Sequence, residues 1–298
     1  MKDFIKYICY VLGPVFIYCL MNLYILTHPH IDRVKTETVI FGLSTGACSI
    51  NDFILTDYTN LCVFGIPIWY QQEYISSIIN HNPHIKRVIL CFDPVTYNDY
   101  SDKLNNHWPD SFYSSIRHCA RSSGYGLFIK YSIHHICNFV FYINNFYKVE
   151  PHIHGFKDLG KRNILPYINH IENKHDYYDI PYSITEKTHS MEQQALRNII
   201  ALCQSKNITT VVYQAPMYQL KRWYGRKGYE DFLSTLPSSI LVSEYTDFKF
   251  PSDEYYRDAR HLNGKGAEYL SKHIKDQGLK MELLEEYLAR KKRERGDE

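Results

Sequence analysis

Apolar residues fall along this chain in short blocks that alternate with helical patterns. TVIFGLS (Thr38 to Ser44), NLCVFG (Asn60 to Gly65) and RVILCFD (Arg87 to Asp93) are compact runs rich in β-branched and aromatic side chains, as are TTVVYQAP (Thr209 to Pro216) and ILVSEY (Ile240 to Tyr245). Such runs read as buried strands. Between them WYQQEYISSIINHN, MEQQALRNIIALCQ and the region around Tyr229 to Leu236 place apolar residues at helical spacing. Strands alternating with crossover helices predict an α/β fold, a three-layer sandwich about a central parallel sheet.

Two regions depart from this rhythm. From Tyr7 to Leu26 the chain reads YICYVLGPVFIYCLMNLYIL, without a formal charge, and about 20 apolar residues suffice to cross a bilayer. Lys2 and Lys6 precede the run, so the positive-inside rule puts the N-terminus in the cytoplasm and the rest outside. An uncleaved anchor is the leading reading; a cleaved signal and a buried helix are the alternatives. The span from Pro94 to about Glu186 is rich in Tyr, His and Asn and holds Pro151, Pro166 and Pro181. It reads as an insertion, a lid or a binding surface. Within it Gly126 to Phe146 is apolar but interrupted by Lys130, His134 and His135, which favours a partly buried or membrane-facing amphipathic helix. The expected organisation is an anchor and stalk over 1–36, an α/β domain over 37–280 with its insertion at about 94–186, and a charged tail over 281–298. That tail, MELLEEYLARKKRERGDE, reads as a solvated helix ending in a basic run.

Composition narrows the function classes. With 45% hydrophobic residues in 298 the chain can build a core, and a formal charge of +2 gives no case for nucleic acid. The 27 tyrosines suit aromatic-lined grooves or a membrane interface. None of the eight cysteines forms a CxxC pair, so they read as buried thiols, with a disulfide as the alternative. The histidine pairs at 81 and 84, 134 and 135, and 152 and 154 lack a third ligand at a recognisable spacing, so no metal is expected. No phosphate-binding glycine loop is present, and no cofactor is expected. Trp223, Tyr224, Arg226 and Lys227 suit either contact with an anionic or sugar substrate or a solvated helix surface.

The candidate chemistry lies at the two ends of the α/β region. FGLSTGACSIND puts Ser44 at the C-terminal end of the first strand, the edge at which α/β folds build their sites. Read alone, Ser44 is either a nucleophile or an ordinary turn-and-cap residue. YYRDARHLNGKG puts Asp258 and His261 three apart before the last helix of the α/β region. A serine hydroxyl needs a base such as His, and the imidazole needs a carboxylate to fix its tautomer. A helix cap beside an exposed His is the plainer alternative.

Together the two segments resemble the SGNH (GDSL-like) hydrolase superfamily, over about Thr38 to Gln277 without the insertion. The resemblance implies a flavodoxin-like sandwich with Ser44 as nucleophile, His261 as base and Asp258 as its partner. It also implies an oxyanion hole built from the N–H groups of Ser44 and Gly65. Two positions differ from the family pattern. Leu43 stands where G-D-S has Asp, and no counterpart of the third block, G-x-N-D, follows RVILCFD, where Asp93 and Asn98 are the nearby polar residues. With its N-terminal anchor the chain is similar to envelope proteins of lipoteichoic-acid D-alanylation and alginate O-acetylation. Those relatives imply a single-pass protein of a bacterial cell membrane with its C-terminal domain extracytoplasmic. Its substrate would be an acylated glycan or another ester, and its neighbour a multispanning membrane acyltransferase. A catalytically inactive SGNH-fold scaffold is the rival expectation.

Overall fold

In the computed structural model the described residues are 34–63, 68–94, 186–218, 226–258 and 260–295, with isolated positions at 6, 7, 10, 12, 13 and 156. The run Tyr7 to Leu26 and the insertion therefore fall almost wholly outside them. Among the described residues no helix is long and apolar enough to cross a membrane.

The chain builds β1 (Thr38–Gly42), α1 (Ser44–Ser49), β2 (Tyr58–Asn60), α2 (Ile68–His81), β3 (Arg87–Cys91), α3 (Glu186–Ser205), β4 (Thr209–Gln214), α4 (Arg226–Leu233), β5 (Leu241–Glu244), α5 (Gly264–Gln277), β6 (Glu282–Leu283) and α6 (Leu284–Arg295). One six-stranded sheet runs in the order β2-β1-β3-β4-β5-β6. Its first five strands are parallel, and β6 joins β5 antiparallel at the edge. The order 2-1-3-4-5 reverses direction between β1 and β3, the switch point where a crevice opens beyond the strand ends.

Alternation along the strands divides the core. Val39 and Phe41 face one side with Val88, Leu90 and Val212, where α2, α3, α4 and α6 pack through Ile75, Ile78, Leu196, Ile199, Phe232 and Tyr287. Ile40, Ile89, Val211 and Tyr213 face the other side, covered by Ala47, Leu270 and Ile274 of α1 and α5. A parallel sheet must be covered on both faces, which explains why its strands read as continuous apolar runs.

Four expectations change. The second strand is assigned to Tyr58–Asn60, earlier than NLCVFG, although Leu61 and Val63 still donate to Ile40 O (2.7 Å) and Gly42 O (2.8 Å). The sheet is mixed rather than purely parallel, because Glu282 and Leu283 add an antiparallel edge. The third concerns 281–298, which does not behave as a solvated tail through Arg295. Leu284 and Tyr287 enter the core, and Lys291 is buried against Glu244 at 2.8 Å. Lys291 looked solvated because its partner Glu244 is remote in sequence, whereas Lys292 and Arg293 are exposed as expected. Arg226 is likewise neither a surface nor a substrate-facing residue: it is fully buried and paired with Glu230 (3.1 Å) and Glu244. Trp223 and Tyr224 lie outside the described residues.

Candidate active site

β1 ends on Gly42, whose φ of +143° suits only glycine, and a Cβ there would stand 2.5 Å from the carbonyl oxygen of Cys91. The glycine lets β1 pass close to the end of β3 before the chain turns into α1. Leu43, in place of a polar loop residue, is buried in the core on the α2 side. Its neighbour Ser44 is the one residue between 41 and 50 that is not buried. The turn is thus held from below by an apolar anchor while it presents a hydroxyl at the surface. Gln71 of α2 adds a hydrogen bond to Gly42 O (3.2 Å). Asn60 donates to Gly46 O (3.2 Å) and Ile50 O (2.8 Å), fixing the far end of α1.

Ala47 N–H closes the first helical bond onto Leu43 O at 3.1 Å. The amides of Ser44, Thr45 and Gly46 therefore belong to the first turn, where no carbonyl of the helix can accept them. Small residues are required here: a Cβ on Gly46 would meet Cys62 Sγ at 2.6 Å and Cys91 Cβ at 2.7 Å.

The second half of the site is a tight turn. Arg257 N–H donates to His261 O (2.8 Å), and Tyr256 pairs with Leu262 in an antiparallel bridge. Asn263 closes the turn: its Oδ1 caps α5 by accepting Gly266 N–H (3.0 Å), while its Nδ2 donates to Glu254 O (2.6 Å) and Tyr256 O (3.3 Å). Asp258 Oδ1 accepts the amides of Arg260 (2.8 Å) and His261 (3.0 Å). A D-x-x-H segment folded this way points carboxylate and imidazole at each other. His261 Nδ1 lies 2.9 Å from both oxygens of Asp258.

The other ring nitrogen meets the first strand's turn. His261 Nε2 stands 2.8 Å from Ser44 Oγ, across 217 residues of sequence. With Nδ1–H donated to the carboxylate, the neutral ring offers Nε2 as the acceptor of the serine proton. Burial raises the pKa of Asp258, but the hydrogen bond and charge of His261, with the two amides, outweigh it and hold the carboxyl below its ordinary value. Its negative charge thereby persists to stabilise an imidazolium. The His261 and Asp258 side chains remain 18% and 24% exposed, so the site opens to solvent.

The structure thus brings Ser44, Asp258 and His261 together, whereas Gly65 and Asn98 lie outside the described residues. Asp93 is completely buried beyond β3 and accepts from Thr45 Oγ1 at 2.9 Å. Sequence reasoning did not single out Asn60, Gln71 or Asn263 as supports; only the last, in H-L-N before a helix, carried a capping signal. Among the described residues no group of His, Cys, Asp and Glu is arranged to hold a metal. Cys48, Cys62, Cys91 and Cys203 are buried thiols. Neither a scan against protein-family models nor a search of the curated proteins found a match.

Proposed function

We propose that this chain is a membrane-anchored SGNH-type serine esterase or O-acyltransferase acting on an ester or acylated glycan of a bacterial cell envelope. The observation that carries the reading is the continuous Ser44–His261–Asp258 hydrogen-bond chain between the turn after β1 and the turn before α5. The anchor rests on the apolar run from Tyr7 to Leu26, and the extracytoplasmic placement on the lysines before it.

Ser44 Oγ attacks the acyl carbonyl as His261 Nε2 takes its proton, and the Ser44 N–H donates to the oxyanion that forms. Gly65 is assigned as the second donor. Collapse of the tetrahedral adduct breaks the bond to the leaving alcohol or thiol, which takes the proton from His261. Water or a sugar hydroxyl then attacks the acyl-serine with His261 again as base, and Ser44 regains its proton. Asp258 orients the ring and stabilises the imidazolium throughout.

A fluorophosphonate probe tests this reading on the full chain in detergent. Wild type labels, Ser44→Ala does not, and the exposed, remote Ser234→Ala control labels normally. A folded wild type that neither labels nor turns over a p-nitrophenyl ester refutes it. That result selects the second reading, an inactive SGNH-fold scaffold. One observation favours that alternative: the carboxylate of Asp93, unlike an Asn in that place, offers no N–H to an oxyanion.

A further inference from the structure

A second concavity lies beside α5, and neither Ser44, Asp258 nor His261 lines it. It encloses about 480 Å³, a size at which small molecules are held. The segment after β5 supplies Tyr245 and Phe248, the end of α5 supplies His273 and Gln277, and Lys280 and Arg290 add to the lining. Its rings form a continuous apolar face: Tyr245 and Phe248 lie 5.8 Å apart, and Phe248 meets His273 edge-on at 5.0 Å. Gly278 leaves backbone bare at the end of α5, since a Cβ added there would meet nothing within 4 Å.

The charges around this concavity cancel. Arg290 pairs with Glu244 (3.0 Å), Glu294 (2.8 Å) and Glu282, and Glu244 is also engaged by Arg226 and by Lys291 (2.8 Å). Lys280 and Asp247 then add one charge of each sign. An anion would meet Glu244, Asp247 and the negative end of the α5 dipole, and a cation would meet Arg290 and Lys280. A wholly apolar ligand would strand these polar groups without water. A ligand that carries no charge, but has hydroxyls around its edge and C–H groups on its faces, avoids all three costs. We propose that this concavity binds neutral saccharide units, which set a C–H face against Phe248 and bond their hydroxyls to His273, Gln277 and Lys280.

Aromatic surface continues from the concavity to the catalytic turn. Phe248 packs edge-on against Phe250 at 4.9 Å, and Phe250 stacks with Tyr255 at 5.4 Å. Tyr255 lies 5.2 Å from Tyr269, which is 40% exposed, and carries Lys265 over its ring at 4.8 Å. The next residue, Tyr256, pairs with Leu262 beside His261. A chain of several sugar units therefore finds more aromatic surface than a single unit does, which makes tetrasaccharides the suitable probes. Saccharide binding here needs no serine chemistry and stands apart from the hydrolase reading.

Saturation-transfer NMR on the full chain in detergent tests the site with cellotetraose, chitotetraose and maltotetraose, and with tetragalacturonate as the charged counterpart. At least one neutral tetrasaccharide binds with a Kd on the order of 1 mM or tighter, and at least about tenfold tighter than tetragalacturonate. Phe248→Leu removes the ring and His273→Ala removes a hydrogen-bonding rim group; each weakens that binding by about tenfold or more. Ser44→Ala, and Lys206→Ala at an exposed position beyond α3, bind within about twofold of wild type. Should Phe248→Leu fail to fold, His273→Ala decides the matter. The proposal is overturned if no neutral tetrasaccharide binds, if tetragalacturonate binds as tightly, or if a folded Phe248→Leu or His273→Ala binds like wild type. Loss of binding in Ser44→Ala also overturns it, since the sugar would then sit at the triad. A wild type that binds the sugar but is never labelled by fluorophosphonate refutes the hydrolase reading and leaves the saccharide site standing.

Discussion

Glu192 offers the sharpest test of the energetics of the fold. Its carboxylate lies buried on α3 and reaches across to α2, accepting the amides of Ile68 (3.0 Å) and Trp69 (2.8 Å) with one oxygen each. Burial raises its pKa from 4.5 to about 7, and the two amides only partly oppose that rise. The unfolded chain therefore loses this proton near pH 4.5, while the folded chain keeps it until about pH 7. Between those values the folded state binds more protons, so stability falls as pH rises. The stabilisation is complete below the unfolded value and lost by about pH 7. At about 1.4 kcal/mol per pH unit the interval amounts to about 3 kcal/mol. Glu192→Gln cannot ionise and does not share this slope. It also exchanges one acceptor for an N–H donor facing an amide, a pH-independent penalty of about 1–3 kcal/mol. Urea denaturation of both proteins at pH 5 and pH 8 isolates the linkage, because every other titrating group cancels in the difference. The wild-type advantage over Glu192→Gln is expected to shrink by about 3 kcal/mol between the two pH values. Parallel pH profiles, or an advantage that grows with pH, refute the reasoning and mean that the two amides hold Glu192 as the anion.

Three further outcomes follow from close contacts. Gly46→Ala forces a methyl against Cys62 Sγ and Cys91 Cβ; it should cost about 1–3 kcal/mol in urea denaturation and slow fluorophosphonate labelling through displacement of α1. Tyr287→Ala removes a buried ring whose hydroxyl accepts from Gln214 at 3.0 Å, and about 3–5 kcal/mol of stability should go with it; a loss below about 1 kcal/mol would return α6 to the status of a solvated tail. Burial raises the pKa of the Cys62, Cys91 and Cys203 thiols, so peptide mapping after native iodoacetamide treatment should find all three unmodified and find them modified after unfolding. Alkylation of any of them in the folded protein contradicts that placement.

The local pattern was enough to read much of the scaffold. Apolar β-branched runs such as TVIFG and RVILC are short-range signals of buried strands, and helical spacing in the 69–82 segment marks an amphipathic helix; both arise from the fixed periodicities of the backbone. The D-x-x-H turn was also legible, because Asp258 satisfies the amides of Arg260 and His261 within its own few residues. Where partners are distant, the sequence was silent or misleading. Arg226, Lys291 and Arg290 read as surface charges until β5 and α6 place Glu244 among them. Nothing in the order of residues indicates that Glu192 caps a helix 123 residues away. Asp93 was recognisable as a polar residue after a strand, but its link to Thr45 depends on the lateral pairing of β1 with β3. So does the meeting of Ser44 with His261: the sequence alone determined that a serine stood after the first strand and that an aspartate and a histidine of the right types stood in the turn before α5. Only the tertiary structure decided that the two turns meet, with β1, β3, β4 and β5 stacked in parallel, because strand order is set by long-range burial on two faces and not by any local preference of the chain.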